Sequence, residues 1–241
     1  MIRRTVIRRN VHGLGFEGMP RYPNLSVLGA LRGLDYAGTM IFAVSGSILA
    51  SMYGMDGLGC VVVGCITALG GGTIRDVIWG KSPAFWLDET EYLYMSIAAA
   101  AAAFWFCYYE EPGKQLLEFV VFWGDTLGIG AFAVIGTMYA VRMGFGIIIT
   151  LVCCCITCTG GGVIRDTLVK RPVRVMHNLE EVYAEAAVSG GAAYLLARGA
   201  GLPLQVRVLV GAGTTIALRI LATKYNIKNV SVPAVIGPLK A

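Results

Sequence analysis

The sequence predicts an all-α, polytopic membrane protein with seven transmembrane helices, built as an inverted three-plus-three repeat followed by a seventh helix. Three observations predict it. The 241 residues are 56% hydrophobic and only 15% charged, where an average soluble domain carries roughly a quarter charged residues. Mean hydropathy is +0.67. Seven apolar stretches of spanning length follow residue 33, and the chain resembles itself after a shift of 90 residues. The scarcity of charge excludes disorder, a disulfide-rich secreted module and a soluble enzyme.

Residues 1–33 stand apart. Arg3, Arg4, Arg8, Arg9, Arg21 and Arg32 face one acid, Glu17, which reads as a basic N-terminal tail, disordered or targeting. Gly13 to Gly18 spells G-x-G-x-x-G, but no strand precedes it and no helix pattern follows, so the dinucleotide reading fails. The spans are expected at about 34–54, 58–79, 91–109, 119–142, 145–169, 181–198 and 204–223, each near the ~20 residues that cross a bilayer core. Short polar breaks separate them, so the chain is one bundle. Its units are 34–124 and 125–201, each a three-helix repeat, then 202–224, the seventh helix, and a C-terminal tail, 225–241.

The repeat is specific. Asp35 falls on Asp125, Gly38 on Gly128, Phe42-Ala43-Val44 on Phe132-Ala133-Val134, and Gly46 on Gly136. Without a gap, Cys65-Ile66-Thr67 meets Cys155-Ile156-Thr157, Gly70-Gly71-Gly72 meets Gly160-Gly161-Gly162, and Ile74-Arg75-Asp76 meets Ile164-Arg165-Asp166. Three spans per unit is an odd number, so successive units enter the membrane from opposite sides. Loop Lys and Arg favour a cytoplasmic C-terminus by seven to four, whereas the six tail arginines favour the reverse.

Three successive glycines inside a membrane helix weaken it, each by up to ~1 kcal/mol relative to alanine. The expectation is therefore a kink or unwound turn at each triplet, with the half-helices beginning near Thr73 and Val163 aiming positive dipole ends into the bundle. The competing reading is that the glycines only allow close helix packing. Arg75, Asp76, Arg165 and Asp166 lie just beyond the triplets, and Asp35 and Asp125 open the first and fourth spans. Isolated charge is costly at that depth, so pairing is expected across repeats, Arg75 with Asp125 and Arg165 with Asp35. Such pairs are either clamps or part of a transport path. Adjacent Arg75 and Asp76, about 100° apart on a helix, are not expected to satisfy each other.

Arg219 in the last span either snorkels to the nearer surface or neutralises acids of the repeats. Asp88, Glu89 and Glu91 read as solvated loop charge. Trp79, Phe85, Trp86, Tyr92 and Tyr94 read as an interfacial belt. The seven cysteines lie in apolar runs and read as packing residues. Gly80-Lys81-Ser82 lacks the first glycine of a P-loop, and no Ser/His pair or metal-ligand cluster stands out. No cofactor, metal or nucleic-acid partner is expected, and no enzymatic activity.

The doubled G-G-G-x-I-R-D, the Asp-x-x-Gly opening of each repeat with its Phe-Ala-Val-x-Gly, and Arg219-Ile220-Leu221-Ala222 followed by Val232-Pro233 resemble the bacterial glycine-transporter-domain family over residues 34–233. That family is distantly similar to the trimeric intracellular cation (TRIC) channels. The resemblance implies uptake of glycine or a similar small amino acid through an inner membrane, with Gly70, Gly71, Gly72, Arg75, Asp76, Gly160, Gly161, Gly162, Arg165 and Asp166 as motif positions. It also implies a homo-oligomer, a trimer by the channel likeness. The expected partners are the bilayer and a small zwitterionic or cationic solute, with a potassium-permeable channel as the alternative. The bacterial inner membrane is the expected location; the Arg-rich tail, absent from the family pattern, also suits an organelle.

Overall fold

The computed structural model describes residues 25–81, 83–176 and 182–227, with side chains from residue 31 onward. Among the described residues every regular element is helical: α1 Leu25–Met52, α2 Gly57–Ile78, α3 Phe85–Asp88, α4 Glu91–Glu110, α5 Lys114–Arg142, α6 Ile147–Leu168, α7 Ala184–Gly199 and α8 Leu204–Tyr225. Six of them are long and apolar enough to cross a membrane. The expected sixth span, 181–198, is α7, Ala184–Gly199. Its 16 residues rise only about 24 Å, short of the ~30 Å hydrocarbon core. The helix α1 also begins at Leu25, inside what the charge pattern marked as tail; residues 1–24 and the end of the C-terminal tail lie outside the described residues.

Local geometry recurs at the 90-residue shift. The α1 and α5 helices each end in a turn with a left-handed glycine, Gly54 at φ 75° and Gly144 at φ 74°. Within those turns, Met55 N donates to Ala50 O and Phe145 N to Ala140 O, both at 3.1 Å. Beyond α2, Lys81 N donates to Asp76 O at 2.8 Å; beyond α6, Arg171 N donates to Asp166 O at 2.9 Å. The left-handed position is Gly80 in the first turn and Lys170 in the second.

Small residues let the helices approach. A Cβ on Gly38 would lie 3.2 Å from the Ala131 Cβ, one on Gly128 would lie 2.3 Å from the Phe42 ring, and one on Gly124 would lie 3.2 Å from the Ser45 Cβ. Residues 38, 42 and 45 of α1 thus meet 131, 128 and 124 of α5, so these two helices run antiparallel. The rings of Phe42 and Phe132, equivalent in the repeat, pack at 5.2 Å between centroids. The α4 helix packs on α1 and α2; α7 packs on α5 and α6; α8 covers α5 and α7. Outward positions such as Leu58, Ile148, Leu196 and Leu209 are more than 70% exposed apolar side chains, the surface expected against lipid. Cysteines pack inside as small residues: Cys154 Sγ lies 3.4 Å from both Ala133 O and Ala187 O.

The glycine triplets are the tightest crossing. A Cβ on Gly71 would sit 2.2 Å from Thr157 O, and one on Gly161 would sit 2.0 Å from Thr67 O. Gly70 and Gly160 face the opposite triplet at 3.1–3.2 Å. Both helices continue as hydrogen-bonded α-helix through the triplets. The expected unwound turns are therefore not formed. Close backbone approach accounts for the glycines instead, because each helix rests against the carbonyls of the other where a side chain would collide.

Candidate functional site: two buried charge clusters beside the glycine crossing

The C-terminal turns of α2 and α6 carry the arginine–aspartate pairs inward. In the first repeat, Arg75, Asp76 and Asp35 are all at most 2% exposed. Arg75 curls back on its neighbour: Nε and Nη2 donate to Asp76 Oδ1 at 2.9 and 2.7 Å. The expectation that these adjacent residues could not pair was wrong, because the arginine stem is long enough to fold around its own helix turn. Asp76 Oδ2 accepts from Phe85 N at 2.9 Å, which ties the start of α3 to the end of α2. The Arg75 guanidinium lies 4.1 Å from the Tyr139 ring centroid on α5 and 5.7 Å from that of Phe85. Asp35 accepts from Tyr92 Oη at 2.8 Å. Thr73 donates to Leu69 O at 2.8 Å and accepts from Trp86 Nε1 at 3.0 Å.

In the second repeat Asp125 is the hub. Arg165 Nη1 and Nη2 donate to its two oxygens at 3.0 and 3.3 Å, Arg174 Nη1 donates to Oδ2 at 2.6 Å, and Ser45 Oγ from α1 donates to Oδ1 at 3.0 Å. Arg165 Nε also reaches Asp166 Oδ1 at 3.0 Å. Asp166 Oδ2 accepts from Arg174 N at 3.3 Å, repeating the tie from Phe85 N to Asp76. Arg219 on α8 is 3% exposed, so it does not snorkel. Its guanidinium lies 4.8 Å from the Tyr183 ring centroid and 5.4 Å from that of Phe122, and Nε donates to Thr126 Oγ1 at 3.2 Å.

The expected cross-repeat pairing is thus replaced. Arg165 joins Asp125 of its own repeat, and Arg75 joins Asp76 and the Tyr139 ring. The two antiparallel first helices set this arrangement. They bring Ser45, rather than Asp35, beside Asp125.

Several residues here carried no signal of their own in the sequence. Arg174 read as one more loop cation in Lys170-Arg171-Pro172-Val173-Arg174, yet it is 9% exposed. Phe85 and Tyr92, read as interfacial, are buried at 5% and 0% exposure, while Tyr94 is exposed as expected. Tyr92 and Tyr183 both open the third long helix of a repeat, one residue off the 90-residue register; that near-coincidence was the available clue. Glu89 and Glu91 are not merely solvated: Arg32 pairs with Glu91, which also accepts from Tyr36 Oη, and lies 3.5 Å from Glu89.

The clusters differ in what covers them. The Phe85 ring fills the space beside Gly72, where a Cβ would come within 2.4 Å of it; beside Gly162 the nearest atom is Tyr183 Oη at 3.4 Å. On the second side a cavity of about 670 Å³ opens between the end of α1, the start of α5 and the loop after α6. Arg174, Tyr183 and Arg219 line it, together with Lys114, Glu118, Phe122 and Arg171.

Comparison with known proteins places this architecture. The family described as Glycine transporter matches residues 32–108 and 122–199, one segment in each repeat. A UPF0126 membrane protein of Vibrio cholerae is 34% identical over 194 residues, covering 80% of this chain and 79% of that protein. The UPF0126 inner membrane protein YadS of Escherichia coli strain K12 is 32% identical over 197 residues, covering 81% and 92%. Among solved structures, a TRIC trimeric intracellular cation channel orthologue from Rhodobacter sphaeroides superposes with TM-score 0.75 at 31% identity, covering 82% of this chain and 99% of that one. A prokaryotic TRIC channel in 0.5 M KCl gives TM-score 0.75 at 32% identity, covering 84% and 99%. With the match falling on both repeats and the buried Arg-Asp pairs inside it, the chain belongs to the glycine transporter family of multi-pass inner-membrane transport proteins.

Proposed function

We propose that this protein carries a small solute, glycine or a similar small amino acid, along the face of the α2–α6 crossing. Gly70, Gly71, Gly72, Thr73, Arg75, Asp76 and their partners Gly160, Gly161, Gly162, Arg165 and Asp166 flank the path. The observation that carries this reading is the pair of buried charge clusters at the two helix ends, one covered by Phe85 and the other reached from a cavity. Buried ionisable groups in a membrane protein mark solute pathways by default, and one covered and one open half-site is what alternating access requires. Antiparallel α1 and α5 support an inverted relation between the repeats, in which rocking exchanges the two half-sites. Asp35, Asp125 and Arg219 hold the half-sites in register rather than touching solute.

A second reading is favoured by the solved relatives: a potassium-permeable channel, trimeric as the Rhodobacter sphaeroides protein's description states of it. Purified full-length protein in liposomes separates them. A carrier gives saturable counterflow of labelled glycine, competed by unlabelled glycine. Potassium flux without saturation, together with no glycine counterflow, overturns the carrier reading in favour of the channel.

A further inference from the structure

Phe85, which covers the first half-site, is held at two ends of different kind. On the inner side its N donates to Asp76 Oδ2 at 2.9 Å. On the outer side a chain of rings leads to the surface. Phe85 meets Tyr92 edge-on at 5.2 Å between centroids, and Tyr92 meets Tyr36 edge-on at 5.1 Å. Tyr36 Oη donates to Glu91, the first residue of α4. Arg32, one turn earlier on α1, donates to Tyr36 Oη at 2.5 Å and to Glu91, and lies 3.5 Å from Glu89. Exposure separates the two ends. The side chains of Arg32, Glu89 and Glu91 are 32%, 22% and 46% exposed, whereas Arg75 and Asp76 are at most 1%. Salt therefore screens the outer end strongly and the inner end little. The open half is built differently at these positions. At the 90-residue shift Arg32 and Tyr36 fall on Phe122 and Thr126, which carry no charge and meet Arg219 of α8 instead.

We propose that Arg32 is a positioning residue for this cover: its bonds to Tyr36 and Glu91 form a surface latch that keeps Phe85 over Arg75 and Asp76, and the latch loosens as ionic strength rises. Released at Glu91, the segment keeps its tie to Asp76 and opens from its outer end. A partly exposed pair is a modest interaction, so the latch changes how often the cover opens several-fold rather than switching it outright. The proposal rests on the transport reading for what the cover admits, and not for how the cover is held.

The test is hydrogen–deuterium exchange of the full chain in non-ionic detergent at about 0.1 M and about 1 M sodium chloride, where the screening length falls from ~10 to ~3 Å. Exchange reports local opening. The amides read are those of Phe85, Leu87, Glu89 and Tyr92, which donate to Asp76 Oδ2, Ala84 O, Phe85 O and Glu89 O; those of α6 serve as reference. In the wild type, exchange over residues 85–92 is expected about three-fold faster at the higher salt, the size of a partly screened ion pair. Arg32→Gln should exchange that fast already at the lower salt and respond no further. Arg32→Lys, which keeps the charge and loses the fork, should keep the salt response. A mere packing role for Arg32 would speed exchange without moving that response. Loss of the response in Arg32→Gln, confined to residues 85–92 and retained in Arg32→Lys, supports the latch. Identical exchange in wild type and Arg32→Gln, a salt response that survives that substitution, or equally faster exchange in α6 overturns it. Exchange is measured without solute, so absent glycine counterflow strikes the transport reading alone, and an unresponsive cover strikes the latch alone.

Discussion

The two repeats place the same Gly-Gly-Gly-x-Ile-Arg-Asp segment in the same helical setting and finish it differently. In the first, the chain leaving α2 returns as α3, and Phe85 and Tyr92 close over Arg75, Asp76 and Asp35. In the second, the equivalent return donates Arg174 N to Asp166 but sends the Arg174 side chain to Asp125, leaving a cavity where the first repeat has an aromatic ring. The shared motif sets the position of charge beside the crossing. The segment after it, where the two repeats diverge in sequence, sets access.

The comparison breaks most readily at Asp125, which accepts from two arginines and a serine in the second repeat. Asp125→Asn leaves Arg165 and Arg174 buried with half their acceptor gone, and stability should fall by about 3–5 kcal/mol. Thermal unfolding in detergent measures it. Adding Arg174→Gln should return part of that loss, since the second change removes one stranded cation; a double variant no more stable than Asp125→Asn would show the two side chains to be uncoupled.

A smaller and sharper contrast lies in the third glycine of each triplet. Gly72→Ala pushes a methyl into the Phe85 ring, and should destabilise by about 1–3 kcal/mol. Gly162→Ala meets nothing nearer than 3.4 Å and replaces a poor helix former, so it should be neutral or stabilising by up to ~1 kcal/mol. Equal losses in both variants would mean that the two ends are covered alike.

The smallest expected difference is between the two tyrosines. Tyr92→Phe removes the hydroxyl that donates to buried Asp35, leaving a charged acceptor short of one bond, and should lose about 1–3 kcal/mol. Tyr183→Phe keeps the ring that stacks on Arg219, and should lose less. Parallel unfolding curves of the two variants decide it.

Much of the fold was legible because its determinants are local or periodic. Apolar length gives a span wherever about twenty residues are predominantly apolar, which located α1, α2, α4, α5, α6 and α8; at α7 it located a helix of only 16 residues. The register of the triplets was legible from self-comparison, but their meaning was not. A glycine triplet is weak helix in isolation, and packing two triplets against each other restores what propensity loses, since neighbouring backbone fills the space that side chains would occupy. Tertiary contact overrode a local preference. The site was legible as a set of residues and illegible as a set of partners.

What the sequence alone determined is the membrane class, the doubled motif, and the presence of Arg75, Asp76, Arg165, Asp166, Asp35, Asp125 and Arg219 within apolar surroundings. Burial of charge follows directly from such placement. Only the tertiary structure decided that Arg165 meets Asp125, that Arg174 leaves the loop to join them, and that Phe85 closes one half while the other stays open. The physical reason is range. Hydropathy and helical period act over a few residues, whereas buried polar partners are chosen by which helices run antiparallel and by how loops return, contacts separated by 40 to 93 positions along the chain.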